Sequence, residues 1–352
     1  MSKKLSKQKL NDIITYGIVI AAFVIMQILI NAGEISSLFQ GLMVPLCTYI
    51  ILAISLNLVV GILGELSLGH AGFMCVGAFT SSFFSKAMQD TITNSTVRFL
   101  LALLIGIITA AIFGIIIGIP VLRLNGDYLA IVTLAFGEII KNLVNVLFIG
   151  KDSKGFHFST KDAVSLNMEP DGKIILNGPQ GITGTPNDST FFIGFILILV
   201  TLFIVLNLIH SRDGRAIMAI RDNRIAAESI GINITKYKLM TFTISAAMAG
   251  AAGVLYAHNL SNLTANTNNF GYNMSINILV FVVLGGIGNI RGSIIAAVVL
   301  TLLPELLRGM SDYRMLIYAI VLIVMMLFNW APKAIEWREK HLSFKKNKKE
   351  AA

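Results

Sequence analysis

The sequence predicts an all-α integral membrane protein with about ten transmembrane helices, and three observations predict it. Of its 352 residues 55% are hydrophobic and only 13% charged, a balance too apolar for a water-soluble globular domain. Apolar runs recur along the chain at lengths near the roughly 20 residues that cross a bilayer. The Lys and Arg residues behind the net charge of +9 sit between those runs and in the tails. Basic residues so placed fix membrane orientation, so the positive balance does not point to nucleic acid.

The ten candidate spans lie near residues 12–31, 40–62, 66–86, 97–120, 127–150, 191–210, 237–258, 274–288, 292–309 and 313–331. A tail, 1–11, precedes the first and carries Lys3, Lys4, Lys7 and Lys9. The run from Ile13 to Ile30 is too long for the apolar part of a signal peptide, so it reads as a retained first span. Short Gly-containing turns around Gly64 and Gly288 join the second span to the third and the eighth to the ninth, a pattern that admits half-spans and broken helices. With the N-terminus inside, 19 of the 28 Lys and Arg residues fall on the inner side and 8 outside, with Lys141 within a span. That bias obeys the positive-inside rule. It places the basic tail 332–352, with Lys345, Lys346, Lys348 and Lys349, on the same side as the N-terminus and so requires an even number of spans. A domain of spans over 12–331 therefore carries two long loops. The outer loop, 151–190, is rich in Gly, Pro, Asn and Asp and is long enough for a small lid or hairpin; the inner loop, 211–236, is basic.

Charges at membrane depth cost roughly 2.5–3.5 kcal/mol each on insertion scales, so each needs an account. Glu138 and Lys141 are three residues apart with the acid first, the spacing of an ion pair on one helix face, and read as a structural pair ahead of a solute contact. Asp127 stands where a carboxylate favours a helix N-terminus. Glu65 and His70 flank the Gly64–Gly72 turn. His70 reads as bonded to a backbone carbonyl in a plain inner turn, whereas Glu65 fits equally a solvated turn or a broken helix lining a cavity. Gly114-x-x-x-Gly118, Ala246-x-x-x-Gly250 and Ala249-x-x-x-Gly253 are small-residue faces for close helix packing. Cys47 and Cys75 lie in apolar runs and read as small hydrophobes, and no His/Cys/Asp/Glu spacing suggests a metal site.

The inner loop carries the most specific signal. Asp222 or Asn223 can cap a short helix with Ile225, Ala226 and Ile230 as its apolar face, and Gly231 stands where a helix end favours a left-handed residue. Ala226, Ala227 and Gly231 keep its surface low, while Arg221, Arg224 and Glu228, with Arg215 upstream, offer charges that would set register in a partner's groove. On physical grounds alone an anionic lipid surface is an equal occupant.

Ala226-Ala227-Glu228 followed by Gly231 resembles the coupling segment that permeases of ATP-binding-cassette importers insert into their ATPases. Gly64-Glu65-Leu66-Ser67-Leu68-Gly69-His70-Ala71-Gly72-Phe73, Arg123-Leu124-Asn125-Gly126-Asp127-Tyr128, Gly178-Pro179-Gln180-Gly181-Ile182 and Val283-Leu284-Gly285-Gly286-Ile287-Gly288 resemble, in order, blocks of the branched-chain amino acid permeases of the LivM type. The resemblance implies an importer permease fold and import of Leu, Ile or Val. It implies a second homologous permease (LivH type), two ATPase subunits (LivG and LivF type) and an extracytoplasmic solute-binding protein as partners in a bacterial cytoplasmic membrane. The chain has no Gly-x-x-x-x-Gly-Lys-Ser/Thr, so no cofactor is expected in it; ATP and Mg would sit in the ATPases. Asn57, Glu65, Ser67, Tyr128, Thr133 and Glu138 are the candidate polar groups of the translocation path.

Urea or short-amide permeases and ribose-type sugar permeases share features of this pattern. A different class, the ion-coupled secondary transporter, would use Glu65 and Glu138 as ion sites. If Arg215 to Gly231 docks on an ATPase, Gly231→Trp and Ala227→Trp are expected to uncouple ATP hydrolysis from uptake while leaving the protein inserted; normal uptake by both variants would count against docking.

Overall fold

The computed structural model describes residues 7–33, 36–122, 124, 126–170, 172–307 and 313–330. The basic tail 332–352, Arg123 and Arg308 lie outside the described residues, as does the side chain of Asp127, the expected cap. All ten expected spans are helical. They begin with α1 (Lys7–Asn31), α2 (Ser37–Asn57), α3 (His70–Ala87), α4 (Ser95–Val121) and α5 (Asp127–Val146). A π-turn, Leu58–Leu63, prolongs α2. The chain then forms β1 (Phe148–Asp152), β2 (Gly155–Ser159), β3 (Lys173–Asn177) and β4 (Ile182–Thr183). It continues with α6 (Phe191–His210), α7 (Arg212–Asp222), α8 (Arg224–Ser229), α9 (Ile234–Ala257), β5 (Asn262–Leu263), α10 (Thr267–Phe270), α11 (Tyr272–Gly285), α12 (Ile290–Leu306) and α13 (Arg314–Trp330).

Among the described residues six helices are long and apolar enough to cross a membrane: α1, α2 with its π-turn, α4, α5, α6 and α9. With 14 residues, α11 rises only about 21 Å, short of a hydrocarbon core of about 30 Å. The turn of α10 precedes it, so this span is broken, as the glycines of its neighbourhood predict. The fifth helix stops at Val146 rather than at 150, because Phe148 onward pairs as a strand.

Strands β2, β1 and β3 form an antiparallel sheet in that order, and β4 pairs with β5. The outer loop is thus a folded cap. Its first hairpin turns at Asp152, whose carboxylate accepts the amides of Lys154 at 2.9 Å and Gly155 at 3.1 Å. Burial works to raise the Asp152 pKa, but the amides of Glu169, Lys154 and Gly155 and the His157 ring outweigh it and hold the carboxyl below its ordinary value. Lys151 Nζ donates to the Ala87 carbonyl at 2.9 Å and Lys86 Nζ to those of Ile174 and Thr183, at 3.1 and 2.7 Å, so the cap is tied to the end of α3.

The core lies where α3, α4 and α9 meet, and the small-residue faces make it. A Cβ on Gly114 would come within 2.7 Å of the Ala246 Cβ, one on Gly250 within 2.8 Å of the Gly106 carbonyl oxygen, and one on Gly253 within 3.0 Å of the Ala78 nitrogen. These are backbone approaches that larger residues forbid. Gly17, on α1, has nothing within 4 Å of such a Cβ. Gly253→Val is therefore expected to destabilise the fold by about 1–3 kcal/mol, read as a lower melting temperature in detergent, with Gly17→Val unchanged; equal melting of the two variants would contradict this packing.

Candidate functional site

The end of the bundle opposite the sheet carries α7 and α8, and there the second span breaks. The π-turn closes on Gly64, which is left-handed at φ +80°, and residues 64–69 run without regular structure before α3. This segment is not a plain solvated turn. Its far half packs into the protein, because Gly69 and Gly72 let it touch the backbone of Thr133 and Gly137, while Gly64 and Leu66 stay exposed. The Leu68 amide donates to Thr133 Oγ1 at 3.0 Å, and that hydroxyl donates to the Ala130 carbonyl. His70 is buried and its Nε2 meets the Ser55 hydroxyl at 2.6 Å, not a backbone carbonyl. Ser245 of α9 donates to the Ser55 carbonyl at 2.6 Å, so α2, α3 and α9 share one buried polar joint.

Glu65 is not solvated either: Lys238, only 3% exposed on α9, pairs with it. Lys238 escaped sequence reasoning because it falls at the edge of an apolar run, where a lysine reads as part of the basic loop. Asn57 is fully committed. Its Nδ2 donates to Ser293 Oγ and its Oδ1 accepts the Gly288 amide, both at 2.8 Å. Ser67 is buried, and its hydroxyl has no partner among the described residues. Tyr128 is 72% exposed. The six candidate path residues therefore do not converge on one cavity: Asn57, Glu65 and Thr133 hold the break together, and Tyr128 stands apart.

Glu138 and Lys141 pair at 2.5 Å as their spacing predicts. The pair does more than cancel charge within α5. Lys141 also reaches Thr267 Oγ1 at 3.2 Å, and Glu138 accepts the Tyr272 amide at 2.8 Å, capping the start of α11.

In the α7–α8 hairpin, Asn223 rather than Asp222 caps α8, accepting the Ala226 amide at 3.0 Å. Gly231 has φ +86° and ends the turn. Ile225, 81% exposed, and Ile230 face away from the body with Arg224, Ala226 and Glu228. Only Ala227 turns inward, 2% exposed against Ile220 and Ile234. Ala227→Trp would thus break this packing instead of blocking an outside groove, and Gly231→Trp would strain a left-handed backbone whatever the space outside. Neither isolates docking. Arg215 and Arg221 are both exposed on α7, but Arg221 also reaches back to the second span: Nη1 donates to the Gly61 carbonyl at 3.1 Å, and Nε and Nη2 hold Asp222. Among the described residues no His/Cys/Asp/Glu group could hold a metal ion.

The sequence profile described as "Branched-chain amino acid transport system / permease component" matches residues 37–328. The chain belongs to this permease family. It is 35% identical over 296 residues to the high-affinity branched-chain amino acid transport system permease protein LivM of Salmonella typhimurium, an alignment covering 82% of this permease and 67% of that one. Similarity extends to LivH of the same organism, 26% identical with 80% and 89% covered, and to the fructose import permease protein FruG of Bifidobacterium longum, 25% identical with 87% and 85% covered. No solved structure matches. The permease family accounts for the many-helix membrane fold.

Removing one partner of a largely buried ion pair leaves the other charge exposed to low dielectric, a cost of the order of 3 kcal/mol. Glu138→Gln is accordingly expected to lower the yield and melting temperature of the permease, and Glu138→Gln/Lys141→Met to recover much of both. Uptake per folded molecule should hold in the double variant. Its selective loss at normal abundance would assign the pair to the solute.

Proposed function

We propose that this chain is a permease subunit of an ATP-driven importer that carries branched-chain amino acids across the bacterial cytoplasmic membrane. The family match over residues 37–328 carries the reading, and the 35% identity to LivM supports the solute class. In this reading both termini and the α7–α8 hairpin are cytoplasmic, and the sheet lies outside, within reach of a solute-binding protein. The permease pairs with a second one of LivH type, and two ATPases of LivG and LivF type bind ATP and Mg. No covalent chemistry falls to this chain.

The α8 hairpin is the part built for a partner ATPase. Apolar residues as exposed as Ile225 and Ile230 on a polar protrusion mark a contact surface, and Arg224 and Glu228 beside them supply charge for register. The ion-coupled alternative loses its two carboxylates, since Glu65 is committed to Lys238 and Glu138 to Lys141. A paired, lysine-neutralised carboxylate is a poor cation site.

The test is uptake of labelled isoleucine by vesicles holding the assembled importer. Uptake should require the ATPases and binding protein and be competed by leucine and valine, but not by urea or fructose. Ile225→Asp, at a position that contacts nothing within the permease core, should weaken ATPase association and reduce uptake by roughly tenfold or more, the scale of losing an interface anchor. Uptake that persists without the ATPases would refute the ATP-driven reading.

A further inference from the structure

The cytoplasmic hairpin reaches the broken span through one carbonyl. A helix leaves its last carbonyls without chain partners, and the π-turn ends at Leu63, too soon for Gly61 to find a donor farther along it. Arg221 supplies one from α7. Its stem also lies on the turn, since a Cβ on Gly64 would come within 2.6 Å of Arg221 Cγ. On the other side a Cβ on Gly61 would come within 2.6 Å of Gly288 Cα. The α11–α12 turn therefore rests on the same residue that α7 holds, and Asn57 bonds that turn and Ser293 of α12.

The hairpin is a stiff unit at its near end. Ala227 of α8, Ile220 of α7 and Ile234 of α9 pack together, and Arg221 follows Ile220 directly. A displacement of α8 would pass to α7 at Ile220, and the next residue is the one that bonds the π-turn. π-turns carry a residue more per turn than the α-helix around them and recur at functional sites, where an extra residue gives a helix two ways to pack.

We propose that Arg221 is a positioning residue that transmits movement of the hairpin to the π-turn and, through Gly61 and Asn57, to the α11–α12 turn. It acts within the permease rather than on the ATPase surface. The proposal rests on the importer reading above and adds which residue links docking to the broken span and the α11–α12 turn.

The experiment uses the whole importer in proteoliposomes, with Arg221→Met, which removes the donor but keeps the stem, and Arg221→Lys, which keeps a charge and a donor. In Arg221→Met, ATPase association and binding-protein-stimulated ATP hydrolysis should stay close to wild type, while amino acid imported per ATP falls roughly tenfold, the scale of one lost charge-assisted hydrogen bond. Arg221→Lys should recover part of that ratio, which a purely structural loss would not do. A wild-type import ratio in Arg221→Met overturns the proposal, and so does loss of ATPase association, which would return Arg221 to the docking face. Should Arg221→Met fail to accumulate, spin labels at Ser229 of α8 and Ile287 in the otherwise native complex decide. The two sites should move together when the vanadate-trapped state forms, and movement at Ser229 without movement at Ile287 overturns the linkage. Wild-type isoleucine uptake, measured in the same vesicles, judges the importer reading separately.

Discussion

Within a bilayer no water is available to satisfy the backbone, so an interrupted helix must find its donors and acceptors inside the protein. That constraint organises this permease. The second span ends at Leu63 and the third begins as α3 at His70, and three neighbouring helices support the stretch between them. α7 contributes Arg221 to the Gly61 carbonyl, α5 contributes Thr133 to the Leu68 amide, and α9 contributes Lys238 to Glu65. The Asn57 amide does the same for the turn between α11 and α12. An interruption so supported ties α5, α7 and α9 to the end of the second span.

The three-helix centre relies mainly on shape, with a few hydrogen bonds such as Thr80 to Thr109 and Ser85 to His258. Between α3, α4 and α9 the glycines bring backbones together, and burial of Ala102, Ala110, Ala246, Ala249 and Ala252 leaves few long side chains to rearrange. Dispersion across such close contacts substitutes for the hydrophobic effect, which gives helices in lipid little reason to associate. Helices α3 and α9 thus belong to both arrangements, close-packed along their length and joined by polar groups at the end near the broken span.

Much of this is written in the sequence. Hydropathy alone separates the ten helices, because lipid makes the apolar requirement nearly absolute. The Glu138–Lys141 spacing and the glycine faces report contacts within a helix or along one face, which local periodicity encodes. Partnerships across the chain are a different matter. Asn57 reads as a polar group in need of a solute until Ser293 and Gly288, more than two hundred positions later, appear beside it. Lys238 and Arg221 look like loop charges because nothing local records that their partners, Glu65 and Gly61, lie against them. The apolar face of α8 was legible as a pattern, but the direction it faces depends on Ala227 packing against Ile220 and Ile234. Burial of polar residues was thus readable, whereas what buries with them was not.

The first helix stands outside these arrangements. It is almost wholly uncovered by the rest of the protein, held by Asp12 to His210 at 3.5 Å, by Arg291 to Thr15 at 2.6 Å and by Phe23 stacked on Phe195 at 3.9 Å. The family profile begins at residue 37, where α2 begins. Helix α1 thus lies on the rim of the bundle that the family profile covers, and side chains near its start and middle, rather than an interleaved backbone, attach it there.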